Sequence, residues 1–550
     1  MHNNKELILN KKLLIYLILA AIIANAVGLF SPILASNDAY SYAVLTKNML
    51  ISGDYVSLTY GGTDWLDKPH LPFWLTAISF NIFGINPFAY ILPGFIFHLL
   101  GAFYTYKLAQ KLYNDSVALL SALVYLTALR LLLSSIDVRA EAFLLGSIMP
   151  ACYYFWLFYK SEAKSVKYML LGAFFAGLAL MGKGLFTMIV VCSGLVVVWL
   201  YKKEYKNMLS IRWIVALLAC FAFAAPEFVS LYLQFDMHPE KVVFGSQNVS
   251  GISWFFWDSQ FGRFFNTGPI ANHNGNIWFF THTFLWAFLP WTLFFLFGAV
   301  ADFRARRSLT QNEKESFVFL IGSFLPTFVL FSATKFQLDH YINILLPFCA
   351  ILTAHYIAKY PLKVASWAQV GVSILLILLS AVLCVKMLPS LAVVVIFTLS
   401  FCGVFFVYLQ KKQTIKLKSM TLAVFSVLIA IICVTLINSI VYTKYNAGYH
   451  MAKFLNQKPH LPVYGYKTYS FSLEMDYDGM HRRIMDANEL QNVSKPCYIL
   501  TDEAYIGEIK QEYKLIGSFN HILQDRFIAS MLSEQKFKEN NKTWLLLELR

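Results

Sequence analysis

About thirteen stretches of roughly twenty apolar residues, joined by short polar loops, restrict this chain to a narrow set of folds. They lie near 13–34, 91–110, 116–133, 140–159, 168–182, 185–201, 212–234, 277–301, 316–333, 341–358, 366–388, 390–409 and 419–442. The two flanking Lys183 are short. Each run is close to the length of a membrane-crossing helix, because lipid offers no partner to unpaired backbone groups. Leu71–Gly84 is shorter and aromatic, and reads as a helix lying in the interface. The composition agrees: 58% hydrophobic, 17% aromatic and only 14% charged, where soluble domains carry about 25% charge. The expectation is an all-α polytopic membrane domain over 1–443.

The net charge of +14 is dispersed in short clusters between the runs, unlike a nucleic-acid surface, so no nucleic-acid partner is expected. Lys5, Lys11 and Lys12 precede the first run, which is longer than a signal-peptide core and has no small-residue cleavage site. It is expected to stay as a helix with its N-terminus in the cytoplasm. Six further clusters then fall on the cytoplasmic side: Lys107 and Lys111; Lys160, Lys164 and Lys167; Lys202, Lys203 and Lys206; Arg304, Arg306 and Arg307; Lys359 and Lys363; Lys411, Lys412, Lys416 and Lys418. They read as solvated loop charges that orient the helices. An odd number of crossings places the C-terminal segment outside. Seven of eight cysteines lie in apolar runs at no metal-ligand spacing.

The outer face is different. Its long loops, 35–90 and 235–276, and its short loops hold Asp38, Asp54, Asp64, Asp67, Lys68, Asp137, Arg139, Glu141, Lys183, Asp258, Arg263, His273, Lys335, Asp339 and His340. Charges against membrane segments are costly unless paired or wet, so they mark working sites. Pro69 aims Lys68 from an extended backbone, suiting it to a phosphate or, equally, to snorkelling towards anionic lipid. Arg263, among aromatics, can grip phosphate bidentately or stack on the rings. Tyr341 offers a hydroxyl to the same anion or anchors at the interface. Asp38 can take a proton from an attacking hydroxyl, orient a sugar, or cap the helix after Asn37. Asp137, Arg139 and Glu141 form a salt-bridged helix start or a second source of carboxylate. Lys183 lies between two glycines that let a ligand approach the backbone. A transporter would instead place polar breaks near the midplane in repeated halves, and no such repeat is visible.

From 444 to 550 the composition turns soluble. Met451–Gln457 and Glu503–Tyr513 read as helices, and Val463–Ser470, Cys497–Thr501, Leu515–Phe519 and Thr543–Leu549 as strands, which makes a small α/β domain.

Several motifs recur in a fixed order: S-N-D-A-Y-S-Y at 36–42, M-L-I-S-G-D-Y at 49–55, D-K-P at 67–69, I-F-G at 82–84 and D-V-R-A-E-A-F-L at 137–144. They continue with Lys183-Gly184, Arg263-Phe264, His273, L-P-W at 289–291 and Lys335, Tyr341 and Pro347. Over about 30–360 this set resembles the GT-C glycosyltransferases of the protein mannosyltransferase-like superfamily. Within that superfamily it is most similar to bacterial lipid A aminoarabinose transferases.

The resemblance implies a GT-C membrane domain with a periplasmic C-terminal domain in the bacterial inner membrane. It also implies an undecaprenyl-phosphate-linked sugar donor, inversion at the anomeric carbon, and lipid A as acceptor. By the same carry-over, Asp38 and Glu141 are the catalytic acids, and Lys68, Arg263 and Tyr341 grip the donor phosphate. Asp67, Asp137, Arg139, Lys183, His273 and Lys335 line the site, with Asp67 and His273 as candidate ligands for a divalent metal. The chain departs from the family pattern in places. The usual Asp-Glu pair is Asp38-Ala39, the second-loop Asp is Glu141, and Glu-Lys-Pro-Pro stands as Asp67-Lys68-Pro69-His70. The missing acid weakens the metal expectation. The competing functions are protein O-mannosyl transfer or another envelope glycan transfer, transport of a lipid-linked sugar, and an envelope scaffold.

Overall fold

The structure, a computed structural model, describes residues 11–161, 165–410 and 413–550, apart from the side chain of Asp525. Lys5, Lys164, Lys411 and Lys412 lie outside the described residues. Among the described residues, ten helices are long and apolar enough to cross a membrane, and twelve if each of two bent pairs is one span. Phe186–Lys202, of 17 residues, is a further, shorter apolar helix. The chain is therefore a multi-span membrane protein, as its hydropathy predicts.

Three of the expected straight runs are broken. Residues 116–133 form Asp115–Thr127 and Leu129–Ile136, bent by 59°, and 277–301 form Phe279–Ala287 and Thr292–Arg304, bent by 109° around Pro290. A proline cannot continue the hydrogen-bond ladder, and the chain turns there. The run 212–234 stops as Ile211–Phe223 and resumes as Ala225–Leu231, with Pro226 in the first turn of the second piece.

At one end of the bundle the basic clusters do more than orient helices. Lys160 pairs with Glu315 at 2.7 Å, Lys202 lies 3.6 Å from the same carboxylate, Lys359 pairs with Glu313, and Lys416 donates to the Ile357 carbonyl. These contacts tie helix ends together, which corrects their reading as simply solvated charge. Helix Ala140–Lys160 runs from Glu141 to this end over 21 residues, roughly 30 Å at 1.5 Å per residue. The acidic and basic residues near Glu141 thus lie about a membrane thickness away from the lysine clips.

The C-terminal domain is a mixed five-stranded sheet. In chain order, β1 (Thr59–Tyr60) and β2 (Thr63–Asp64) form a hairpin in the first long loop, and the domain's strands are β3 (Val463–Tyr466), β4 (His481–Ile484), β5 (Cys497–Asp502), β6 (Lys514–His521) and β7 (Lys542–Leu549). The order is β4-β3-β5-β7-β6, parallel among the first three and antiparallel thereafter. Alternation along β7 sends Trp544 and Leu546 to one apolar core, and Leu545, Leu547 and Leu549 to the other. The edge strand β4, His-Arg-Arg-Ile, has no apolar alternation for a sequence reading to find, and its charges suit an edge. Within the expected helix Glu503–Tyr513 only Glu503–Glu508 is helical, as a short 3₁₀ segment of six residues.

This domain is latched to the first long loop. Lys47, buried in helix Asn37–Ser52, donates to the carbonyls of Glu474 (2.7 Å), Met475 (3.1 Å) and Tyr477 (2.5 Å). Asn48 bonds the Glu474 carboxyl at 3.2 Å. Burial pushes the Glu474 carboxyl up to about 7, against the lowering effects of Asn48, the Gly61 amide and Lys47. A carboxyl raised in the folded state takes up protons on folding between its unfolded value, near 4.5, and about 7. Stability therefore falls as pH rises through that window and is level above it. Glu474 by itself contributes on the order of 2 kcal/mol to the docked domain on going from pH 8 to pH 5, while the buried imidazoles of His481 and His521, held down to about 3 and about 4, act in the opposite sense. The melting difference between wild type and Glu474→Gln should carry the Glu474 slope, and an equal pH dependence in both proteins would refute the assignment.

Candidate active site

Helix Asn37–Ser52 sets the first wall. Its N-cap is Ser36, whose hydroxyl accepts from the Ala39 amide and donates to Asp137 at 2.5 Å. Asp38 is therefore not the cap. Its carboxylate is free to take a hydrogen bond from Arg139 at 2.7 Å, while Arg139 holds Asp137 at 2.9 Å. Burial opposes the charge on Arg139, but the two carboxylates outweigh it and keep the guanidinium protonated.

The second wall is the turn Asp67-Lys68-Pro69-His70. Asp67 binds both Lys68 and Arg263, although Arg263 lies 196 residues further along the chain. Burial opposes ionisation of Asp67, yet the two cations hold its carboxyl below the usual range. Burial pushes the Lys68 ammonium down despite Asp67. A guanidinium has five donors and an ammonium three, so both cations keep capacity for a second anion.

Beneath this turn, Glu227 is fully buried. It accepts from the His70 amide at 2.8 Å and faces His70 Nδ1 at 3.2 Å, while His70 Nε2 meets the Val56 carbonyl at 2.8 Å. Burial alone would lower the imidazole, but Glu227 raises it. The pair anchors the segment that carries Lys68.

The third wall comes from helix Val166–Lys183. Gly184 ends it with φ +95°, and a Cβ there would lie 2.7 Å from Gln260, so glycine is required for the backbone. Lys183, 5% exposed, is paired with Glu141, 2% exposed, and its ammonium lies 4.1 Å from the centre of the Tyr341 ring. His340 approaches Glu141 at 3.7 Å.

Two cavities meet at these side chains. A polar one of about 230 Å³ is lined by Asp38, Asp67, Lys68, Arg139, Glu141, Lys183, His340 and Tyr341, with the rings of Tyr42, Tyr60, Trp65 and Phe471. An apolar one of about 450 Å³ is lined by Leu185, Phe186, Ile189, Phe256, Phe261, Phe264, Phe265, Leu330 and Phe331. Lys183 and Tyr341 line both, and Arg263 lines the apolar one. Cations at the seam of an apolar and a polar cavity suit an amphiphile with an anionic head.

The sequence-derived set is thus largely brought together: Asp38, Asp67, Lys68, Arg139, Glu141, Lys183, Arg263 and Tyr341 converge, and Asp137 supports them through Arg139. His273 and Lys335 do not. Both side chains are exposed and line neither cavity. Lys335 acts through its backbone, donating to the Phe264 carbonyl and accepting from Gly275, which fixes the loop around Arg263. Asp67 is engaged by two cations and His273 stands apart from it. Among the described residues no group of three or more His, Cys, Asp or Glu side chains gathers to hold a metal. The structure does not bring the candidate metal pair, Asp67 and His273, together in either cavity.

Glu227 and the aromatic wall were missed, and His340 was placed on the outer face with no role of its own. Glu227 had a visible signal, an acid inside a run read as membrane-crossing. Phe471 had none.

The chain is similar to known proteins both in sequence and in fold. Residues 67–229 match the family model described as dolichyl-phosphate-mannose-protein mannosyltransferase. The undecaprenyl phosphate-alpha-4-amino-4-deoxy-L-arabinose arabinosyl transferase 2 of Proteus mirabilis (strain HI4320) is 27% identical over 337 residues, 60% of this chain and 56% of that protein. The match thus spans little more than half the length of that relative. The crystal structure of ArnT from Cupriavidus metallidurans bound to undecaprenyl phosphate superposes with a TM-score of 0.76 at 16% identity, covering 97% of both chains. The apo oligosaccharyltransferase of Archaeoglobus fulgidus superposes at 0.54 and 10% identity, covering 90% of this chain and 70% of that one. The chain shares the fold of these structures, the GT-C architecture expected from its motifs.

Proposed function

We propose that this GT-C-fold chain, with its mannosyltransferase-family segment over 67–229, is an inverting glycosyltransferase. It moves an aminosugar from undecaprenyl phosphate to lipid A on the periplasmic face of the inner membrane. The observation that carries this reading is the meeting of Lys68 and Arg263 on one carboxylate where the polar and apolar cavities join. The polyprenyl chain lies in the apolar cavity and its phosphate among Lys68, Arg263 and Tyr341. An oxygen of the acceptor attacks the anomeric carbon from the polar cavity. The sugar–phosphate bond breaks, and its electron pair goes to the lipid phosphate.

The cations are already in place for the charge that develops on the leaving phosphate, so little reorganisation is needed during the reaction. Asp38, fixed by Arg139 and with its side chain 60% exposed, positions the acceptor. An ionised phosphate acceptor needs no general base; a hydroxyl acceptor would draw on Asp38 for one. Glu141 holds Lys183 at the seam. Counting Phe186–Lys202 as a crossing beside the twelve spans gives thirteen, and an N-terminus on the cytoplasmic side then makes the site and the C-terminal domain periplasmic.

The test uses full-length protein in proteoliposomes with undecaprenyl-phosphate-linked 4-amino-4-deoxy-arabinose and lipid A. Mass spectrometry should find lipid A heavier by one aminopentose. Donor binding with unchanged lipid A would move the function to another envelope acceptor.

A further inference from the structure

The polar cavity has a wall supplied by the C-terminal domain, where the sequence shows no motif. Tyr60, in the β1–β2 hairpin, packs against Phe471 at 5.5 Å between ring centroids and Tyr469 at 6.0 Å. Tyr60 and Phe471 both line the cavity beside Asn37, Asp38 and Ser41. Their placement is built in. Phe471 opens the short helix Phe471–Asp476, capped by the Ser470 hydroxyl, and the Lys47 latch holds the other end of that helix through three carbonyls.

Half-buried rings are poor ligands for a purely ionic headgroup, because their faces stay in unfavourable contact with water. A saturated sugar ring satisfies them. Its C–H face meets the negative face of the aromatic ring, and its polar edge is left for Asn37 and Asp38. Exposure also separates this end from the donor end. The Asp38 side chain is 60% exposed and that of Glu141 3%, so the aromatic wall adjoins the part of the cavity that a ligand from outside reaches first.

We infer that Tyr60 and Phe471 form the platform for the acceptor's sugar ring, and that the C-terminal domain thereby takes part in acceptor recognition. The inference rests on the transferase reading above and assigns the acceptor end of the same site. The test is equilibrium binding of lipid A to the full-length wild type, Phe471→Ala, Phe471→Trp and Tyr60→Ala. Undecaprenyl phosphate binding and melting temperature serve as controls for folding.

The expected result is lipid A binding about ten-fold weaker in both alanine variants. Phe471→Trp should stay near wild type, and undecaprenyl phosphate binding should be retained throughout. Absence of lipid A binding by the wild type, or equal binding by wild type and Phe471→Ala, overturns the inference. The expected binding pattern without sugar transfer overturns the transferase reading instead and leaves the platform standing.

Discussion

Lys68→Ala is expected to lower sugar transfer by about 10²–10³-fold, the cost of removing one preorganised charge from the developing anion. The loss should fall on kcat as well as on the donor KM, since the phosphate gains charge as its bond to the sugar breaks. The fold should survive. Asp67 keeps Arg263 as a partner, and the Glu227–His70 anchor is untouched. Steady-state kinetics with the undecaprenyl-phosphate sugar as varied substrate separates the terms. A variant within about three-fold of wild type would remove Lys68 from the phosphate site.

The second large effect is one of stability. Glu141→Gln leaves the Lys183 ammonium buried without its counter-charge, which typically costs about 3–5 kcal/mol. Melting of the purified protein should drop sharply, and activity with it. Glu141→Leu combined with Lys183→Met removes both charges, and its melting should return most of the way towards wild type. Transfer should stay low, because Lys183 is also lost from the seam between the cavities. A double variant as unstable as Glu141→Gln would mean that the pair is not the reason for the single variant's loss.

The crossings and their order were legible because apolar length is a property of composition along the chain. Direction is not, and the turn at Pro290 and the bend before Leu129 left no trace in a hydropathy count. Lys68 and Arg263 were paired in advance by the resemblance of the ordered motifs, and their place in long loops assigned to one face is consistent with that pairing. His273 and Lys335 were placed by the same resemblance, and the structure leaves both side chains exposed and outside the two cavities. A loop residue can fix its neighbours through its backbone amide and carbonyl, as Lys335 does, with its side chain pointing elsewhere. Phe471 shows the reverse limit. An aromatic in a soluble segment reads as core, and only its contact with Tyr60 shows that it faces the cavity.

Position 70 shows that a departure from the resembling family's motif is tied to a residue far along the chain, Glu227. Proline, usual there in the resembling family, has no amide hydrogen to give Glu227 and no imidazole to set beside it. Grafting the ordinary motif onto this chain would strand an acid in the protein interior, while neutralising the acid alone would orphan the ring above it. The two positions therefore act as a unit in this chain, and a substitution at one alone leaves the other without its partner.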